Sequence, residues 1–253
     1  MQQINIKMKK LHLRFYEELN DFLPANKSKK RVEHPFIDRT TVKDLIESLG
    51  VPHTEVDLIL VNQKSVGFDY LVDDCDDISV YPVFESFDIS GVQHLRPTPL
   101  RIPKFILDVH LGKLAKYMRM LGLDTLYSNS YNDEEIIKIS LKEKRTILTK
   151  DRGILKRNEV THGYWVRSTN SEKQIAEIIE RFDLKQSVSQ FSRCLECNKL
   201  LTKIKKENII DRIPPKVRAQ HEDYYICKEC DRIYWAGSHY DKMKSLIKKI
   251  LDK

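Results

Sequence analysis

Residues 104–128 read KFILDVHLGKLAKYMRMLGLDTLYS, residues 132–144 read NDEEIIKISLKEK, and residues 145–155 read RTILTKDRGIL. Twice in this stretch a short apolar run ends in an aspartate and passes into a helical pattern. FIL precedes Asp108, and TIL is followed by Thr149, Lys150 and Asp151; between the two, Asp133, Glu134 and Glu135 open a further helical pattern. The periodicity predicts strands at 104–108, 124–128, 146–149 and 163–167. Helices are expected between them at about 111–121, 133–143 and 171–182, with a short one near 151–157. Asn132 or Asp133 is the expected cap of the second long helix, and Asn170 or Ser171 that of the third. Strands alternating with helices specify a parallel sheet with right-handed crossovers, and about 85 residues suffice for a small three-layer core. In an open parallel sheet, residues just past the carboxyl ends of the strands converge on a crevice where ligands bind.

Three separately placed carboxylates with lysines and arginines nearby point to a divalent metal that holds a phosphate. Such metals take hard oxygen ligands and leave room in their shell for substrate. Asp108 and Asp151 stand at strand ends. Asp133 opens a helix, where it acts either as a ligand or as a cap with Glu134 and Glu135 favouring the helix dipole. Glu134 replaces it if the register is shifted. Asp124 enters its strand from the opposite end and is expected to be structural. After Asp108, Lys113, Lys116 and Arg119 recur every three residues, either as a track for backbone phosphates or as a solvated basic face. Arg152 and Arg145 are further cations available to a phosphate, and His110 is expected to be packed or exposed. A phosphatase of the haloacid-dehalogenase type needs DxD, which Asp108, Val109 and His110 do not provide. No Gly-rich phosphate loop is present.

From Phe191 the chain becomes basic and cysteine-paired. Cys194 and Cys197 form one CxxC, and Cys227 and Cys230 form another, with 29 residues between the pairs. Two such pairs supply the four thiolates of a closed structural zinc site. His221 and His239 are not needed as ligands, and Cys75 is a small hydrophobe or an unengaged thiol. The module presents many lysines, and Tyr224, Tyr225, Tyr234 and Trp235 serve either as its core or as platforms for stacking bases.

Residues 1–90 have a different character. A strand is expected at Asn5–Phe15, then a loop over Pro24–His34. Thr41 caps a helix with apolar positions Val42, Leu45, Ile46 and Leu49, stopped by Gly50. Further strands are expected at 57–62 and 78–83, around an acidic turn at Asp73–Asp77. The order resembles a ubiquitin-like β-grasp, close to small sulfur-carrier proteins but without their C-terminal diglycine. A binding or regulatory module follows from that lack. Residues 91–103, with three prolines and two arginines in HLRPTPLRIP, read as a linker. The organisation is therefore 1–90, a linker at 91–103, an α/β core at 104–190 and a zinc ribbon at 191–253.

Charge follows this division. Residues 1–100 balance to −4, residues 101–192 to +5 and residues 193–253 to +6. A polyanionic partner would meet the last two-thirds, unless the charge merely solubilises. No apolar run is long enough to span a membrane, and the N-terminus alternates instead of forming a signal sequence, so a cytoplasmic protein is expected.

Taken together, FILDVHLGKLAKYMRMLG, the NDEE helix start, RTILTKDRGIL, RCLECN, DRIPPKV and YYICKECDRIYWAGSHYDKM resemble the PIN-like ribonucleases named for the C-terminal domain of the Mut-seven exonuclease. The resemblance covers Phe105 to Met243, and such proteins often carry an N-terminal ubiquitin-like domain. It implies a PIN-type site with Asp108, Asp133 and Asp151 as Mg²⁺ or Mn²⁺ ligands, a zinc ribbon on the four cysteines, and RNA as substrate. Asn132 stands where the family often has an acidic residue, leaving the choice among Asp133, Glu134 and Glu135 open. The expected function is metal-dependent hydrolysis of single-stranded RNA, with Lys113, Lys116, Arg119 and Arg152 as phosphate contacts. The alternative is a non-catalytic RNA-binding adaptor whose ubiquitin-like domain recruits a protein partner.

Overall fold

The structure, a computed structural model, describes residues 8–37, 39–82, 95 and 103–251, with backbone alone at Ser238 and His239. The expected strand start at Asn5, the strand end at Val83 and most of the 91–103 linker lie outside these residues. Among the described residues no helix is long and apolar enough to cross a membrane. The chain divides into two compact units: Met1–Arg101 with Asp151–Trp165, and Ile102–Lys150 with Val166–Lys253.

The N-terminal part contains β1 (Lys9–Phe15), β2 (Arg31–Phe36), α1 (Val42–Ser48), β3 (Val56–Val61), β4 (Lys64–Ser65) and β5 (Asp77–Pro82). They make a five-stranded sheet in the order β2-β1-β5-β3-β4, in which β1 runs parallel to β5 and the other pairs are antiparallel. This is the ubiquitin-like arrangement. Alternation places Leu11, Leu13 and Phe15 of β1 in one core with Ile46 of α1 and with Ile78 and Val80 of β5. Thr41 caps α1 by accepting the Asp44 N–H, and Gly50 ends the turn at φ +104°. The stretch expected as a loop over Pro24–His34 runs instead into β2, which pairs with β1 so that Val32 faces Leu13. β2 is an edge strand, where Pro35 is tolerated, and its half-exposed residues gave it no apolar alternation strong enough to read.

The α/β core is built from β6 (Lys104–Leu107), α2 (Gly112–Met120), β7 (Asp124–Leu126), α3 (Asp133–Glu143), β8 (Thr146–Thr149), β9 (Gly163–Trp165) and α4 (Ser171–Arg181). β6 is central and parallel to β7 on one side and β8 on the other, with Phe105 opposite both Thr125 and Thr146. The two crossovers run in opposite directions, so right-handedness puts α2 and α3 on opposite faces of the sheet. α2 packs with α4, and α3 with β6 and β8. Residues 105–107 of β6 are fully buried, as a strand covered on both faces requires. Asn132 caps α3 in a capping box with Glu135, and Asn170 caps α4. Gly122 closes α2 at φ +83°, and a Cβ there would lie 2.1 Å from the Ser189 carbonyl oxygen.

The C-terminal part contains β10 (Thr202–Ile204), α5 (Pro215–Gln220), β11 (Tyr224–Ile226), β12 (Ile233–Trp235) and α6 (Ser238–Leu251). Its three antiparallel strands enclose a small core of Ile209, Ile213 and Tyr224. α6 packs on α4.

Asp124 is structural, as its position at the start of β7 suggested. It accepts from Arg145 Nη1 at 2.6 Å and Asn198 Nδ2 at 2.8 Å, with Arg193 Nη2 at 3.5 Å. Burial opposes its ionisation, but the hydrogen bonds from Arg145 and Asn198 and the two guanidinium charges outweigh this and hold its carboxyl below the usual range. Arg145 also pairs with Glu143 and donates to the Phe105 carbonyl, so it is a buried strut and not a free phosphate ligand. Replacing Arg145 by Met should cost about 3 kcal/mol at pH 7, because it strands a half-buried carboxylate. A depressed pKa contributes stability above the unfolded value and loses it as pH falls through the folded one. The gap between wild type and Arg145→Met in urea denaturation should therefore narrow below about pH 4.

Candidate metal centre and acidic site

Each CxxC forms the same short turn. The Asn198 N–H donates to the Cys194 carbonyl and the Asp231 N–H to the Cys227 carbonyl; Asn198 and Asp231 have φ of +69° and +59°. Asn and Asp are the non-glycine residues that tolerate this left-handed geometry best. Cys194 also donates its N–H to Lys199, and Cys227 to Arg232, closing each turn on the far side.

These turns bring all four sulfurs within 4.8 Å of one another. Cys194 Sγ lies 3.4 Å from Cys230 Sγ, and Cys197 Sγ lies 3.3 Å from Cys227 Sγ. A disulfide needs about 2.05 Å. Zinc–sulfur bonds of about 2.3 Å place tetrahedral sulfurs about 3.8 Å apart. The set fits a tetrathiolate zinc site, and among the described residues it is the one group of His, Cys, Asp or Glu gathered to hold a metal. Tyr234, a candidate for base stacking, instead places its hydroxyl 3.0 Å from Cys194 Sγ and accepts the Leu195 N–H. Burial works against a thiolate at Cys194, yet the Tyr234 hydroxyl and the N–H groups of Cys197 and Glu196 lower its pKa to about 6. Tyr224 is fully buried, its hydroxyl donating to the Val217 and His221 carbonyls, and Trp235 packs on the same core. Tyr225 is the aromatic left at the surface.

The first cysteine turn is tied to the α/β core. Arg119 of α2 is 3% exposed; its Nε donates to the Thr125 carbonyl and its Nη1 to the Leu195 and Glu196 carbonyls. Asn198 Oδ1 in turn accepts the Thr125 N–H. The polar backbone of the edge strand β7 is thereby satisfied by the ribbon. This corrects the expected basic face of three residues: Lys113 and Lys116 are exposed on α2, whereas Arg119 is a buried latch.

Asp108 stands just beyond β6 and is 6% exposed. Its Oδ1 accepts the His110 N–H at 2.8 Å; its Oδ2 accepts the Lys150 N–H at 2.7 Å and the Thr149 hydroxyl. Thr149 and Lys150 close β8, so the adjacent strand end orients this carboxylate. Asp133 is exposed at the first position of α3 and is not the cap. The carboxylates of Asp133 and Glu134 engage no partner among the described residues, whereas Glu135 accepts the Asn132 N–H. Asp151 is exposed and accepts the Gly153 N–H at 2.7 Å. Arg152 lies with its guanidinium carbon 3.9 Å from the Trp165 ring centroid and 5.0 Å from that of Phe22. No hydrogen bond engages its N–H groups among the described residues. His110 is exposed. Thr149 and Lys150, which orient Asp108, could not be picked out from the sequence, because a hydroxyl and a backbone N–H that act across 41 and 42 residues leave no local motif.

The zinc-loaded chain should contain one zinc ion, and stripping it with a chelator or by Cys227→Ser should unfold the ribbon. Because Asn198 and Arg119 join the first turn to β7, amide exchange at Thr125 should also accelerate. Zinc analysis with hydrogen exchange checks both parts; an unchanged Thr125 would refute the coupling.

Two family models match. The one described as Mut7-C ubiquitin matches residues 8–88, and the one described as Mut7-C RNAse domain matches residues 103–247. No curated protein and no solved structure matches the chain. The ribonuclease match spans more than half the sequence and contains the buried Asp108, its β8 donors and all four cysteines. The chain belongs to the Mut7-C RNAse domain family, with a ubiquitin-like domain at its N-terminus.

Proposed function

We propose that this chain is a divalent-cation-dependent ribonuclease that hydrolyses phosphodiester bonds of single-stranded RNA at a PIN-type site, with Asp108, Asp133 and Asp151 as acidic ligands. The observation that supports this best is the state of Asp108. A buried carboxylate is expensive, and three donors hold this one in a fixed orientation at the carboxyl end of the central strand. A carboxylate offers about four acceptor positions, so roughly one remains for a cation. Asp133 has its carboxylate unspent, with Glu134 in reserve, and the capping role of Glu135 removes it from contention. Oxygen donors of this kind suit Mg²⁺ or Mn²⁺. Bound there, such an ion would stabilise charge on a phosphoryl oxygen and lower the pKa of water.

The chain's own residues orient and bind. His110, Thr149 and Lys150 hold Asp108; Lys113 and Lys116 offer exposed cations to backbone phosphates. Arg152 offers a guanidinium oriented by aromatic stacking, its N–H groups unspent. Tyr225, beside Lys203 on the ribbon sheet, suits a stacked base. A cytoplasmic location accords with zinc-bound thiolates.

Cleavage of labelled single-stranded RNA with Mn²⁺, Mg²⁺ or EDTA tests this reading. Asp108→Asn and Asp151→Asn should each cut at least about a hundredfold more slowly, since even outer partners of metal ligands are worth about 10- to 100-fold. RNA binding should persist in both. RNA bound but never cut, or both variants cutting like wild type, would overturn the proposal in favour of an RNA-binding adaptor.

A further inference from the structure

The segment Asp151–Trp165 has little regular structure of its own: a single turn at Ile154–Lys156 and the three residues of β9. Ordering such a stretch costs conformational entropy that contacts from outside must offset. The ubiquitin-like part supplies them. Glu55 is 1% exposed and accepts the Trp165 N–H at 2.6 Å. His53, also buried, bridges Glu47 Oε1 at 2.6 Å and the Val160 carbonyl at 2.8 Å. From the segment, Lys156 returns a hydrogen bond to the Glu47 carbonyl at 2.8 Å. At its start, Arg152 lies over Phe22, which belongs to the core of the ubiquitin-like sheet. The start, middle and end of the segment are all engaged.

The side chains involved are informative. A buried glutamate and histidine cost stability unless paired, and they add nothing to an apolar β-grasp core. Each makes a hydrogen bond to a backbone group of the segment, a partner that is present whatever the side chains there. Backbone grips of this kind fix the path of a chain.

We propose that the face carrying Glu47, His53 and Glu55 is an intramolecular positioning surface. It holds the segment that opens with Asp151 and Arg152, so that the ubiquitin-like domain acts on the nuclease within its own chain. The consequence for cleavage rests on Asp151 being a site carboxylate, as proposed above; the grip itself does not. Glu47, His53 and Glu55 are accordingly positioning residues.

The test uses the full chain and compares wild type, the double variant His53→Ala/Glu55→Ala, and Glu55→Gln, which retains an acceptor for the Trp165 N–H. Hydrogen exchange over 151–165 should speed up by roughly tenfold or more in the double variant, while β1 and β5 stay protected. The kcat for RNA should fall by roughly tenfold, with the RNA Kd changed less than about twofold, and Glu55→Gln should lie nearer wild type. Unchanged exchange over 151–165 would overturn the grip; faster exchange with wild-type kcat would overturn its role in cleavage. If the double variant loses protection in β1 and β5, Lys156→Met decides by the same readings, since it leaves the ubiquitin-like side chains intact. Asp151→Asn, run in parallel, separates the two ideas. If it cuts like wild type the acidic-site reading falls, while exchange still decides the grip.

Discussion

A carboxylate taken out of water must be given hydrogen bonds in return, and the arrangement around Asp108 is the consequence. Its donors come from two places: the turn that follows β6, through His110, and the end of β8, through Thr149 and Lys150. The parallel pairing that sets Leu107 beside Leu148 therefore also delivers the donors to the carboxylate. Sheet register and site geometry are one construction. An acid held this way needs no reorganisation before it can act, which is the property a metal-dependent hydrolase requires of its ligands.

The second constraint is the pair of cysteine turns. Their left-handed residues, Asn198 and Asp231, close loops around sulfur, and Asn198 then spends its side chain on β7 and Asp124. Arg119 spends its guanidinium on carbonyls of the same turn and of β7. The ribbon is thus joined to the α/β core by hydrogen bonds to α2 and β7, and a metal held by the four cysteines would bear on the stability of that edge strand. Lys113 and Lys116, which these struts do not use, stay exposed on α2.

Much of this was legible in sequence. The apolar runs before Asp108 and Asp151, the capping pattern at Asn132 and the two CxxC pairs are local signals, and they placed β6, β8, α3 and the sulfur cluster. What escaped was non-local or angular. Helical residues advance about 100° each, so two steps of three put Arg119 about 120° around α2 from Lys113, and burial followed. β2 was hidden because its half-exposed edge gains its register from β1 and not from its own pattern. Tyr234 stayed open between ribbon core and stacking platform because its partner sulfur lies 40 residues away in the chain. The hold of Glu55 on Trp165, across 110 residues, has no local signature at all.

The function proposed for the acidic site requires Asp108 to ligate a hard divalent cation. Titrating Mn²⁺ into zinc-loaded chain without RNA, followed by electron paramagnetic resonance, tests it most directly. A bound Mn²⁺ signal is expected in wild type and should be lost in Asp108→Asn while the zinc content stays constant. Equal Mn²⁺ binding by both proteins, or none by wild type, would contradict it.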